Sequence, residues 1–308
     1  MIDIVTVGWL TIDDIVLRDY TCKPGTIGGG ALYSAIGAQI WHDQVGLHSV
    51  TGTKYFSSVV HEIRQHGLDT AGVRAIPGSG LELWLLHESV NEKQQIPKLT
   101  SSTADQMDAG RGPLPEAYRT ARGFHIAPQT PQGSFENVNL LSALPSKPIL
   151  TLDLLADAYV DAARYRELSF LDRITAFLPS KEEVERIWQP KSLSDWIRTQ
   201  STTYSRCVAV KMGANGSLVC DGSDRSVYHA PAFTTKVADT TGSGDSYCGG
   251  FLAGLVLGRP VLECAAMGTV SASFNVGFCG ALATRKPDSG ERDERFQMVF
   301  QQIEEYRH

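Results

Sequence analysis

The stretch ADTTGSGDSYCGGFLAGL, residues 238–255, sets Gly242 and Gly244, small hydroxyl residues and the carboxylates of Asp239 and Asp245 directly ahead of an apolar run. Glycine lets a backbone turn sharply and approach another molecule. A helix opening inside this stretch, expected over 243–257, leaves its first N–H groups and its positive dipole end facing the loop. Together these features make a cradle for an anion. Asp245 then falls in the first helical turn. A carboxylate binds phosphate poorly, but beside such a cradle it is placed to take the proton of a hydroxyl that attacks phosphorus. The backbone dipoles favour its ionised form. The same residues also suit a plain capped helix, with Thr241 or Ser243 as cap and Asp245 favouring the dipole. No Lys-Ser/Thr pair follows, so the loop is not of the Walker A type, and its spacing is not GxGxxG.

The rest of the chain supplies the scaffold that must hold these groups. Strand patterns at 2–9, 45–50, 123–127, 149–153, 174–178 and 207–211 alternate with helical ones at 31–42, 57–66, 134–144, 161–170 and 181–188. Such alternation predicts a parallel sheet with helices on both faces. Residues 11–21 and 73–90 break the pattern and read as hairpin material, a small β appendage over the main sheet. Residues 91–122 read as loop with a short helix, 261–276 as a helix, and 290–306 as a C-terminal amphipathic one.

Composition narrows the classes. The 308 residues carry a formal net charge of −6, which argues against a nucleic-acid or anionic-membrane surface. The six cysteines include no CxxC pair, the pattern of reduced thiols rather than of a zinc site or disulfide framework. The opening MIDIVTVGWL reads as a first strand, not a leader, and no uncharged apolar run reaches the ~20 residues needed to cross a bilayer. A cytoplasmic protein is expected.

Several motifs in one order resemble the ribokinase-like (PfkB) carbohydrate kinases. DTTGSGDSYCGGFLAGLVLG is similar to the family's DTxGAGD signature; GGGALYSA (28–35) to its di-glycine motif; VGWLTIDDIV (7–16) to its first strand; HGLDTAGV (66–73) to its GVDT element. LTLDLLAD (151–157), FLPSKEEVERI (177–187) and VAVKMGANGSLVC (208–220) follow in the expected sequence. The resemblance implies one three-layer α/β/α domain over 1–308, with a mostly parallel central sheet and a β-sheet lid inserted near 11–22 and 73–90. It implies ATP-dependent phosphorylation of an alcohol on a small sugar or polyol, with Mg²⁺.

Residue by residue, the resemblance makes Asp245 the general base and Gly242, Ser243 and Gly244 the anion hole. Asp13, Gly28 and Gly29 match the grip on substrate hydroxyls. Lys211, Gly213, Gly216 and Thr241 match the nucleotide side. Glu183 matches the acid that organises Mg²⁺ through water. Asp239 and Thr241 match positions that in several members hold a monovalent cation such as K⁺. The lid also offers an edge through which two copies could pair as a homodimer.

Two departures stand out. Tyr33 replaces the asparagine that usually binds substrate, and Ser180 replaces the asparagine of the NxxE motif. A phenol offers one hydroxyl and a ring, which argues against an ordinary ribose or fructose pose and toward a nucleoside or cyclitol acceptor. The rival reading is a catalytically quiet sugar-binding or regulatory protein, against which the retained Asp245 speaks. In the lid, Trp84 either stacks on a substrate ring or packs in the lid core.

Overall fold

A computed structural model describes residues 1–88, 93–155, 162–204 and 206–307. The first half runs β1 (Ile4–Trp9), β2 (Thr11–Val16), β3 (Cys22–Gly28), α1 (Gly30–Gln39), β4 (Val45–Gly52), α2 (Phe56–Gln65), β5 (Asp69–Ile76), β6 (Leu81–His87), β7 (Lys93–Pro97), α3 (Ala104–Gly110), β8 (Gly123–Ile126) and α4 (Pro131–Ser142). The second runs β9 (Ile149–Leu152), β10 (Ala176–Phe177), α5 (Lys181–Ile187), α6 (Leu193–Tyr204), β11 (Cys207–Lys211), β12 (Ser217–Cys220), β13 (Tyr228–Ala230), α7 (Ser243–Val256), α8 (Val261–Asn275), α9 (Ser289–Phe300) and β14 (Glu304–Glu305).

Ten strands form the main sheet in the order β14-β13-β12-β11-β10-β9-β8-β1-β4-β5. From β11 to β5 every pairing is parallel; β12, β13 and β14 add an antiparallel edge. Strand alternation places the two helical layers. On β1, Val5 and Val7 pack with Val138 and Leu141 of α4 on one face, and Ile4 packs with Ala31, Leu32 and Ile36 of α1 on the other. On β11, Val208 and Val210 join the first layer, while Cys207 and Ala209 meet Tyr247, Cys248 and Phe251 of α7. The sheet grows outward in both directions from β1 and β8, so its topological switch point lies between them. Ligands of open α/β sheets bind at the carboxyl ends of strands at such a point.

A second sheet, β3-β2-β6-β7, stands over that end. It departs from the sequence expectation for 73–90. Residues up to Ile76 complete β5 in the main sheet, Gly78 and Gly80 turn the chain with positive φ, and only 81–87 enters the small sheet. Residues 89 and 90 of that expected segment lie outside the described residues. The helix expected over 161–170 is instead two 3₁₀ turns, 162–166 and 169–173, residue 161 again lying outside. Tyr165, Leu168 and Leu171 recur every third position, which suits a three-residue turn and puts all three in the core. Residues 156 and 157 of the LTLDLLAD motif are likewise outside the described set. The C-terminal helix ends at Phe300, and Glu304–Glu305 pair with β13. No helix among the described residues is long and apolar enough to cross a membrane. All six cysteines are free thiols.

Candidate active site

Gly242 begins α7 in the left-handed region, φ 71°, and no side chain caps the helix, so neither Thr241 nor Ser243 acts as the cap. A β carbon at 242 would run directly into the Tyr33 ring, so the turn and the close approach both call for glycine. Ser243 N–H donates to Thr240 O at 3.2 Å, and Ser246 N–H to Gly242 O at 2.8 Å, which sets the first turn of α7. Asp245 sits in that turn.

The partner of this turn is the β3–α1 junction. Gly29 takes φ 102°, and a β carbon there would stand 2.9 Å from Leu10 Cα and 3.0 Å from Thr11 N. The chain therefore crosses the end of β1 at backbone contact. A β carbon on Gly30 would lie 2.9 Å from Asp245 Oδ1 and 3.0 Å from Pro128 Cδ. One on Gly28 would collide with the Asp13 carboxylate and lie 3.0 Å from Thr11 Oγ1. Asp13 is 2% exposed, on β2 of the small sheet opposite Thr26. Thus the glycine run separates two carboxylates brought from chain positions 13 and 245, above the carboxyl ends of β1 and β8.

Tyr33 does not line an open pocket as its position in the first turn of α1 suggested. It is 1% exposed, its ring lies under Gly242, and its hydroxyl has no hydrogen-bond partner among the described residues. Burial first, then the charges of Asp13, Asp239, Cys279 and Asp245, lift its pKa well above the ordinary phenol value. The phenol is therefore a neutral donor set among acids.

Lys211 ends β11, its ammonium bonded to the Asp153 carboxylate and 3.4 Å from Cys248 Sγ. Burial alone lowers an ammonium pKa, but the carboxylate of Asp153, with Cys248 and Glu183, outweighs it and Lys211 stays charged. A β carbon at Gly244 would rest 3.6 Å from Lys211 Nζ, which places the cation beneath the cradle rather than out in solvent. Gly213 and Gly216, both at positive φ, turn the chain from β11 to β12 just beyond it. Ser180 and Glu183 form a reciprocal cap at the start of α5: Ser180 N–H donates to Glu183 Oε2 at 2.6 Å, and Glu183 N–H to Ser180 Oγ at 3.2 Å. Burial, then the Asp153 charge, push the Glu183 carboxyl up to about 8.

The turn before the cradle is tied from several sides. Thr241 N–H donates to Asp239 Oδ1 at 2.8 Å, and Asn275 Nδ2 donates to Thr241 O at 2.8 Å. His87, at the end of lid strand β6, brings Nε2 to 3.3 Å from Asp239 Oδ1 and 3.3 Å from Thr241 Oγ1. Trp84 of the same strand faces outward, 40% exposed with Lys98 Nζ 4.7 Å from its ring centroid, and does not pack in a lid core. Sequence reasoning missed Asp153, Cys248 and the tie made by His87, and gave Asn275 no role. The only local signal for any of them was Asp153 at the end of an apolar strand.

Known proteins place this architecture. The model of the pfkB family of carbohydrate kinases matches residues 25–287. The cytidine kinase of Thermococcus kodakarensis is 30% identical over 271 residues, 87% of this chain and 94% of that one. Two solved structures share the fold: a protein of E. coli described as a ribokinase II, in complex with ATP and Mg²⁺ (TM-score 0.74, 15% identity, 97% of this chain and 100% of that one), and the nucleoside kinase of Methanocaldococcus jannaschii (TM-score 0.69, 20% identity, 97% and 99%). Across nearly its whole length, therefore, this chain belongs to the pfkB family of carbohydrate kinases, phosphotransferases with an alcohol group as acceptor.

Proposed function

We propose that this kinase transfers the terminal phosphoryl group of ATP to a sugar hydroxyl of a nucleoside, with Asp245 as general base. The observation that carries this is the approach of Asp245 Oδ1 to Gly30, on the run whose other end meets the Asp13 carboxylate. A hydroxyl-bearing ring laid along Gly28–Gly30 is gripped by Asp13 and presents a second hydroxyl to Asp245. Asp245 accepts that proton as the oxygen attacks. The uncapped start of α7, Gly242 to Gly244, faces the charge of the transferring group with backbone N–H dipoles. Lys211 adds a fixed positive charge below, and the small sheet excludes water from above.

The residues present suit ATP with Mg²⁺. Asp153 pairs with Lys211, and the Glu183 pKa is raised by burial first and then by repulsion from Asp153. A divalent cation relieves that repulsion, and among the described residues no group of three or more acidic, His or Cys side chains could cage a metal directly. Mg²⁺ that accompanies a nucleotide is held mainly by phosphates and water. Its chemistry is to neutralise the phosphate charge. The residues present do not suit a monovalent cation shared by Asp239 Oδ1 and Thr241 Oγ1, since His87 Nε2 already faces those two oxygens.

One observation favours a nucleoside over a free sugar: the Thermococcus relative, 94% of whose length is matched, is a cytidine kinase. The test is phosphoryl transfer from labelled ATP to cytidine, uridine, adenosine, ribose, fructose and myo-inositol. The expected result is kcat/KM at least about tenfold higher for one or more nucleosides than for ribose or fructose, one to two kcal/mol of discrimination. Preference for a free sugar overturns the nucleoside assignment. Transfer to none of a broadened panel overturns the kinase reading in favour of a binding protein.

A further inference from the structure

His87 and Thr241 are 154 residues apart, on the lid and on the motif that opens the cradle. The imidazole is well sheltered: its side chain is 7% exposed and that of Asp239 is 1% exposed. Nε2 faces a carboxylate oxygen and a hydroxyl oxygen at equal distance, and a proton on Nε2 is the arrangement that suits the carboxylate, which only accepts. The rest of the turn is held from the body of the domain. Ala238 and Asp239 N–H groups reach Val276 O at 2.7 and 3.3 Å, Asn275 holds Thr241 O at 2.8 Å, and Thr241 N–H closes back on Asp239 at 2.8 Å. His87 is the tie that comes from the lid.

The family resemblance gave Asp239 and Thr241 to a monovalent cation. A cation shared by Asp239 Oδ1 and Thr241 Oγ1 needs the place that Nε2 holds, so at these two oxygens ring and ion exclude each other. We propose that His87 is a positioning residue that takes this cation's place between Asp239 Oδ1 and Thr241 Oγ1, and shapes the turn leading into Gly242 without K⁺. This rests on the reading of Gly242–Gly244 as the phosphoryl cradle. An ion bound in the body of the domain would be present whether the lid is open or closed. A histidine carried on β6 reaches the turn only when the lid is down. The cradle is therefore completed by the same closure that covers the acceptor, and the positioning of Asp245 is coupled to substrate binding.

The test uses the full-length enzyme at constant ionic strength in KCl, NaCl or choline chloride, with two readouts, initial rate and melting temperature. Wild type is expected to keep the same kcat within about twofold in all three salts, with melting temperatures that coincide. His87→Ala is expected to lose about tenfold or more in kcat in choline chloride while KM for ATP moves less, as loss of a charge-assisted hydrogen bond from a preorganised site implies. KCl should restore part of that rate and raise the melting temperature of this variant alone. His87→Gln, whose amide N–H reaches a similar point, should retain most of the wild-type rate in choline chloride. Several-fold stimulation of wild type by K⁺, a wild-type melting temperature raised by K⁺, or a His87→Ala rate equal to wild type in choline chloride each overturns the proposal. If wild type phosphorylates no acceptor, the function proposed above fails, and the melting temperatures alone still decide the cation question.

Discussion

Replacing Gly249 with alanine drives a methyl group into the seam where α1 crosses α7. A β carbon at 249 would stand 2.8 Å from Ala38 N and closer still to the Ser34 carbonyl, against 3.4 Å or more for an ordinary contact. Both obstacles are backbone of α1, so no side chain can swing aside. The Ser34 carbonyl is the tighter contact, so the helices must part there by about 1.5 Å, and a close-packed interior passes that strain on. Overpacking of this kind costs about 1–3 kcal/mol. The functional consequence is larger than the stability one. Gly30 opens α1 and Asp245 lies in the first turn of α7, and in the proposed mechanism their spacing at the seam's end is the distance between acceptor and base. Misplacement of reacting groups by about 1 Å costs on the order of 10²-fold. Gly249→Ala is therefore expected to melt a few degrees lower yet stay folded at 25 °C, with kcat down about 10–100-fold and KM for ATP nearly unchanged. Steady-state kinetics beside a thermal melt reads both. A folded Gly249→Ala protein with wild-type kcat would refute the claim that the α1–α7 seam sets the catalytic distance.

Tyr33→Phe removes a buried hydroxyl that has no partner among the described residues. Its melting temperature should equal or exceed that of wild type, while KM for the acceptor rises about 2–10-fold if the phenol's missing partner is the substrate; an unchanged KM would assign Tyr33 to packing alone. Acid should weaken the fold early. His48 and His125 are held neutral, their pKa lowered from 6.5 to about 3, by burial first and then by Arg111 and Lys211 respectively. The unfolded chain takes up those protons near pH 6.5 and the native chain does not, so their contribution is present above pH 6.5 and lost as pH falls toward 3. Each histidine adds a slope of about 1.4 kcal/mol per pH unit. Urea unfolding between pH 7.5 and 5 should show this decline, with a smaller slope in His125→Gln; a flat profile would contradict the buried neutral state.

The cradle was legible because its chemistry is local. Glycines, hydroxyls and Asp245 fall within six residues, and a helix start is a short-range event. Asp13 and the glycine run were legible for the same reason, each being a carboxylate or a turn at a strand end. What stayed hidden depends on contacts between distant segments. Lys211 reaches Asp153 across 58 residues and Cys248 across 37, and no spacing rule announces those meetings. His87 was visible only as a lid residue, since its contact with the motif requires the small sheet to fold over the main one. Tyr33 drew notice by its departure from asparagine, but its placement beneath Gly242 follows from the close crossing of α1 and α7, which periodicity does not encode. The lid boundary slipped because β5 and β6 read alike as extended chain. What separates them is sheet membership, set by the turn at Gly78 and Gly80.

The central claim is that the carboxylate of Asp245 receives the acceptor's proton beside the cradle. Asp245→Asn tests it most directly, since the amide keeps the shape and loses the base. Pre-steady-state transfer from labelled ATP to the best acceptor, measured beside equilibrium nucleotide binding, separates chemistry from affinity. The account predicts a transfer rate about 10²–10⁴-fold lower, with nucleotide affinity changed less than about threefold and the melting temperature preserved. Transfer at near wild-type rate by the folded Asp245→Asn protein would contradict it.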